Sequence, residues 1–207
     1  MAAATRDRIV ETTTDLFRHQ GYAATGVKQI VAGAEAAFGS IYHFFPGGKE
    51  QLAEEVIRTS GAMYGDLVDV IYGADPDPVS ATRTFFREAA RTMEAEDFAD
   101  ICPIATVALE VASTHEPLRI ATSEVFDDWR NRVARWLGAA GLTKSAAQEL
   151  ATTLIALLEG SFLLSRASRT VRPLKVNGAA AAKLVELAIA EEANKPPRRP
   201  RTAPSRR

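Results

Sequence analysis

Apolar residues recur at helical spacing in almost every segment of this chain, and no stretch alternates apolar with polar residues as a half-buried strand would. The most demanding stretch is SAAQELATTLIALLEGSFLLSRAS, inside a helix expected over 144–167. Leu150, Leu154 and Leu158 share one face, with Ile155, Phe162 and Leu163 around it. A helix apolar on more than one face has to be covered from more than one side. The expected fold is therefore all-α, with this helix inside a bundle.

Turn and cap residues divide the remainder. Ile9, Thr13, Leu16 and Phe17 mark a first helix, with Thr5 as its expected N-cap and Gly21 closing it. Two short helices follow, over 27–32 with Thr25 in the capping place, and over 37–44, where Pro46-Gly47-Gly48 stops the run. Leu52, Val56, Met63, Leu67, Val70 and Ile71 trace a long helix to Gly73. After the Asp75-Pro76-Asp77-Pro78 loop come helices expected over 79–93, 101–113, 117–137, 144–167 and 179–193. Asp100 is the expected cap of the second of these, with Pro103 tolerated in its first turn. No internal repeat is visible. Residues 195–207, KPPRRPRTAPSRR, have no apolar periodicity and read as a disordered tail.

Charge restricts the function classes. The chain of 207 residues has a net charge of -1, but the tail alone carries +6, leaving -7 on residues 1–194. An acidic body is a poor generic polyanion binder, so any nucleic-acid site must rest on a few placed groups. The single cysteine, Cys102, allows no intramolecular disulfide and no multi-cysteine zinc site. His19 and His115 lack a second ligand nearby, so no metal is expected. Cys102 reads as a buried core thiol. Residues 1–10 hold Arg6, Asp7 and Arg8 and no apolar core, and no run approaches the roughly 20 apolar residues of a membrane helix. A soluble, cytoplasmic protein without membrane association is expected. No nucleophile-and-base set, phosphate-cradling glycine loop or cofactor fingerprint appears, so neither enzymatic activity nor a cofactor is expected.

The first fifty residues carry the clearest functional pattern. A longer helix followed by two short ones across the compact turn Gly33-Ala34-Glu35-Ala36 is a helix-turn-helix arrangement. Val27, Ile30 and Val31 give the first short helix an inward stripe, and Ile41, Phe44 and Phe45 do so for the second. Outward would stand Ala37, Phe38, Ser40, Tyr42 and His43. In a major groove, Tyr42 and His43 can hydrogen-bond phosphates, and Lys49 adds a charge to the same backbone. Thr25 and the amides beside it suit another phosphate. The candidate DNA contacts are Thr25, Lys28, Ala37, Phe38, Gly39, Ser40, Tyr42, His43 and Lys49.

This region resembles the TetR family of bacterial regulators. The likeness rests on Leu16-Phe17, Gly21-Tyr22, Thr25, Val27, Ile30-Val31, Gly39, Ile41-Tyr42-His43-Phe44-Phe45 and Lys49-Glu50-Gln51-Leu52. FPGGKEQL, with CPIATVALEVAS further on, is similar to the LmrA/YxaF branch. The resemblance implies a homodimer on a palindromic double-stranded operator, an effector pocket in the C-terminal helices, and repression relieved by ligand. It implies a DNA-binding domain over 1–50 and an effector-binding and dimerisation domain over 51–194, ahead of the basic tail read from composition. The chain departs from the family where glycine is usual in the turn, carrying Glu35, and at the start of the recognition helix, carrying Ala37 and Phe38. Phe38 either meets a thymine methyl or packs.

An apolar effector wants an apolar wall with a few polar anchors. Phe86, Met93, Cys102, Phe126, Trp129 and Phe162 are the candidate ligand-binding residues, with Glu110, Asn131 and Glu159 as candidate anchors. Trp136 belongs to the same aromatic set, which also reads as plain core. Gly160 inside the 144–167 helix suggests a close helix contact, and that helix with 179–193 is the expected dimer surface. The rival reading is a helical ligand-binding or protein-interaction dimer with weakened DNA recognition, motivated by Glu35, Ala37 and Phe38.

Overall fold

The computed structural model describes residues 2–99 and 102–195. Among them are nine helices and no strand: α1 (Ala2–Gln20), α2 (Val27–Gly33), α3 (Gly39–Phe44), α4 (Gly48–Ala74), α5 (Pro78–Ala95), α6 (Pro103–Val111), α7 (Glu116–Ala139), α8 (Lys144–Ser168) and α9 (Arg172–Ala193). The all-α expectation holds. The tail beyond Lys195 and the expected Asp100 cap lie outside the described residues.

Most helix ends follow local chemistry. Asp77 caps α5, its carboxylate accepting from the amides of Val79 (3.0 Å) and Ser80 (3.2 Å), and Pro78 fills the first turn. Thr143 caps α8 in the same manner. Two expectations fail. Thr5 lies inside α1, which begins three residues earlier, so it is no N-cap. The last helix starts at Arg172 rather than 179, because Pro173 fits a first turn and lets Leu174 reach the core. In α6 it is the Cys102 sulfur that accepts the Ala105 amide, at 3.5 Å.

α8 lies against α7 and α9, α4 runs along α7, and α5 backs α9. By length and composition α8 is apolar enough to cross a membrane, contrary to the sequence expectation; here it is a bundle helix, its Ala151, Leu154, Ile155 and Leu158 buried between its neighbours. A boundary at residue 50 falls inside α4, which continues unbroken from the N-terminal helices into the body.

The α4–α7 contact is close because α4 offers glycine there. A Cβ on Gly61 would stand about 2.5 Å from a Val125 methyl, and the Trp129 indole N–H donates to the Gly61 carbonyl at 2.7 Å. At the far end, Asp69 accepts from the Trp136 indole (2.8 Å), Arg132 (2.6 Å) and Arg135 (2.6 Å). Burial pushes Asp69 up, yet these hydrogen bonds outweigh it and hold the carboxyl below its usual range.

Gly61→Ala should therefore destabilise the protein by about 1–3 kcal/mol through overpacking, although alanine is the better helix former. Gly138→Ala, in α7 with open space around it, should change stability by less than about 1 kcal/mol and in the favourable direction. Urea denaturation of the two variants checks the opposite signs.

Candidate DNA-reading face and effector cavity

α1, α2 and α3 close on a small core of Ile9, Phe17, Ile30, Ile41 and Phe45, each fully buried. The turn between α2 and α3 is set by the backbone. The Ala36 amide reaches the Val31 carbonyl (2.9 Å) and the Glu35 amide the Ala32 carbonyl (3.3 Å), the paired pattern of a Schellman helix end. That pattern needs a left-handed residue, and Glu35 supplies it at φ +49°. From α1, Arg8 Nε donates to the Ala34 carbonyl at 3.0 Å and holds the turn down. α3 is shorter than expected: Ala37 and Phe38 form its approach, with the Ser40 amide bonded to the Ala37 carbonyl.

The outward face carries the expected residues. Lys28, Ala37, Phe38, Gly39, Tyr42 and His43 are exposed, and Ser40 is half-buried. Phe38 and Tyr42 are 51% and 52% exposed, with ring centroids 6.0 Å apart. Two large apolar rings beside each other in water are costly unless something covers them.

Two members of the expected set are placed otherwise. Thr25 is fully buried; its hydroxyl donates to the Gly21 carbonyl at 2.6 Å and accepts from Gln20. It neither caps α2, where the Gln29 side chain takes the Gly26 amide, nor faces a phosphate. Lys49 is half-buried, with its ammonium on the Tyr22 carbonyl (2.6 Å) and 4.0 Å from the Tyr22 ring centroid. Burial lowers the Lys49 pKa, and the Glu110 charge opposes that.

These contacts belong to a joint between the N-terminal helices and the body. The α1–α2 turn bends at Gly21, φ +80°, and the Glu110 carboxylate of α6 occupies the place a Cβ would take. From there Glu110 accepts the Ala23 amide at 2.7 Å. The His115 ring stacks edge-on to Tyr22, and Arg166 of α8 donates to the His19 carbonyl at 3.1 Å. Glu110 is thus a joint residue and not a cavity anchor. Asn131 is not one either; it accepts from Gln148 at 2.9 Å.

The cavity lies among α4, α5, α7 and α8 and the start of α6, and encloses ≈ 120 Å³. Of the expected lining, Met93, Cys102, Trp129 and Phe162 are present. Phe86 is not: it points to the other side of α5, against the Gly178 backbone of α9, and the neighbouring Phe85 lines the space. Phe126 stands behind the wall, edge-on to Trp129 at 5.5 Å. Sequence reasoning missed Tyr64, Leu67, Val68 and Ile71, which α4 presents at successive turns. Their spacing was legible but identical to that of a core stripe.

Among the described residues Glu159 is the one acid deep in this wall. Its Oε2 is buried without a hydrogen-bond partner, and the Cys102 thiol bonds the carboxylate. Burial pushes Glu159 up to about 7, the thiol bond pulling the other way. Burial also raises the Cys102 thiol well above its usual value, with the Glu159 charge adding to it. Cys102 is therefore a protonated thiol and not a reactive thiolate in this state.

Comparison with known proteins matches this architecture in both halves. Residues 9–56 fit the model of the bacterial regulatory proteins of the tetR family, and residues 78–180 that of the LmrA/YxaF-like transcriptional regulator C-terminal domain. The chain is 36% identical to the uncharacterised helix-turn-helix regulator YxaF of Bacillus subtilis, over 82% of this chain and 88% of that protein. This chain belongs to the TetR family of helix-turn-helix transcriptional regulators. It is also 32% identical to the regulator LmrA of Bacillus subtilis, over 82% of this chain and 90% of LmrA. A TetR regulatory protein from Rhodobacter sphaeroides superposes with a TM-score of 0.77 at 21% identity, over 86% of this chain and 97% of that one. The family is one of DNA-binding regulators rather than enzymes.

Within this TetR-family chain, two features carry a measurable cost. Glu35→Gly should stabilise the protein by about 1 kcal/mol, because glycine adopts the left-handed conformation without the Cβ penalty. Chemical denaturation reads it. Glu159 holds its proton up to about pH 7 when folded, against 4.5 for the ordinary carboxyl. Its contribution is therefore full below about pH 4.5 and is lost as pH rises through 7, a fall of about 3 kcal/mol. Stability measured from pH 5 to 7.5 should slope downward from this group, and Glu159→Gln should remove that slope.

Proposed function

We propose that the protein is a homodimeric repressor that leaves a palindromic operator when a small, largely apolar effector fills the α4–α8 cavity. The observation that carries this reading is the course of α6. It starts at the cavity wall with Cys102 and ends with Glu110 gripping the turn in front of α2. A ligand that shifts the start of α6 would move that grip, and with it the spacing of two α3 helices. Such a shift needs differential affinity for the two arrangements.

The division into a DNA-binding part over 1–50 and an effector and dimerisation part over 51–194 fits this scheme, with α4 as the shared member. The DNA-contacting set is Lys28, Ala37, Phe38, Gly39, Ser40, Tyr42 and His43. Lys49 joins it once it leaves Tyr22. For the dimer, α8 and α9 leave Leu163, Leu164, Val176 and Leu187 more than half exposed on adjacent faces. Covering such a patch with a second copy follows the hydrophobic gain. The chromosomal partner would place the protein in the cytoplasm.

A second reading keeps the dimer and cavity but weakens DNA recognition. Glu35 at the DNA-facing turn and the engaged Lys49 favour it. Binding of the protein to its own upstream DNA, measured across a salt series, separates the two. The regulator should bind a discrete palindrome with nanomolar affinity, and Tyr42→Phe should weaken it about fivefold through one lost phosphate hydrogen bond. Weak binding equal on all DNA, and indifferent to Tyr42→Phe, would leave only the second reading.

A further inference from the structure

The polar inventory of the cavity is one-sided. Among the described residues its wall shows the rings of Tyr64, Phe85, Trp129 and Phe162, the Thr92 side chain and two carboxylates, Glu88 and Glu159, and no lysine, arginine or histidine. The Trp129 N–H is committed to the Gly61 carbonyl, so what that residue offers the space is its ring. Glu88 is ion-paired with Arg91, at 3.1 Å. Among the described residues Glu159 is paired with no cation; the Cys102 thiol bonds its carboxylate, and its buried Oε2 has no hydrogen-bond partner.

We propose that the effector is a small monocation, an ammonium group on an apolar or aromatic body, whose charge seats between Glu159 and the aromatic wall. The inference rests on the effector-cavity reading above and names the ligand class for it. An anion would meet Glu159 with no described cation beside it, and a Glu88 whose charge Arg91 already offsets. A neutral donor would satisfy Oε2 but would make no electrostatic use of the ring faces. A quaternary or protonated ammonium uses both, since aromatic faces attract cations within about 6 Å and more strongly when water is excluded. The ≈ 120 Å³ space suits a ligand of about one aromatic ring.

Among the described residues, the titratable groups that share the cavity with Glu159 are Tyr64 from α4, Glu88 from α5 and Cys102 at the start of α6. Glu88 is neutralised by Arg91, and burial keeps the Cys102 thiol protonated. Glu159, raised to about 7, is mainly neutral at pH 6 and mainly ionised at pH 8. A permanent cation should then bind about tenfold tighter at pH 8 than at pH 6.

The test is calorimetric titration of the full-length protein at pH 8 with benzyltrimethylammonium and with its uncharged isostere, neopentylbenzene. The cation should bind at least about tenfold tighter than the isostere. Glu159→Gln should remove that advantage and leave the isostere unchanged. If Glu159→Gln does not fold, the wild-type pH series decides, and a cation affinity that is flat from pH 6 to 8 overturns the proposal. Equal or tighter binding of the isostere, abolished by the space-filling Ala89→Phe, would keep the cavity as a site and overturn the cation. Binding of neither compound, or binding indifferent to Ala89→Phe, would overturn the effector cavity and the cation together.

Discussion

The structure depends on α4 being one rigid helix clamped against α7. Its 27 residues begin beside α3, at Gly48, and end beyond the cavity at Ala74. Half-way along, Gly61 lets Val125 sit on the α4 backbone and gives its carbonyl to Trp129. That close approach, with Asp69 bonded to Arg132, Arg135 and Trp136 two turns on, fixes the register of α4 on α7. The register in turn decides that Tyr64, Leu67, Val68 and Ile71 form a wall of the cavity while Leu52, Val56 and Ile57 stay in the core nearer α1. A helix that could slide on its neighbour would hold neither the wall nor a fixed distance to the N-terminal helices.

The joint between the two parts is polar, small and asymmetric. A carboxylate from α6, a glycine turn and one backbone amide make its centre, with Tyr22 held between Lys49 and His115. Hydrogen bonds of this kind each contribute only about 0.5–1.5 kcal/mol net. Such a joint is specific in direction yet inexpensive to rearrange, unlike the apolar α7–α8–α9 packing. Lys49 is held in it, on the Tyr22 carbonyl and ring, rather than presented on the outward face.

Much of this was legible in the chain. Helix number and order followed from periodicity and from Gly21 and the Asp75-Pro76-Asp77-Pro78 loop, because caps and turns are local chemistry. The outward set on α3 was legible because a six-residue helix with Ile41 and Phe45 inside leaves Phe38, Tyr42 and His43 no other side. Phe86 and Phe85 show where such reading stops. They are adjacent, equally apolar and on one helix, and only the position of α9, whose Gly178 backbone admits Phe86, sends the first into the core and the second to the cavity. Thr25 and Lys49 were misplaced for a related reason. Each is polar and near DNA in sequence, but each found a carbonyl of the α1–α2 turn, an acceptor that exists only after that turn folds.

By itself the sequence determined an all-helical chain, a helix-turn-helix at its start and membership in a family whose motifs are short and ordered. These are consequences of interactions between residues a few positions apart. Tertiary structure alone decided that Glu110 belongs to the joint and Glu159 to the cavity, though each is a glutamate on an apolar helix. The difference is set by what lies opposite: a backbone amide across a glycine for one, and a buried wall of rings and a thiol for the other. Those partners come from elements dozens of residues away, so no local pattern could assign them.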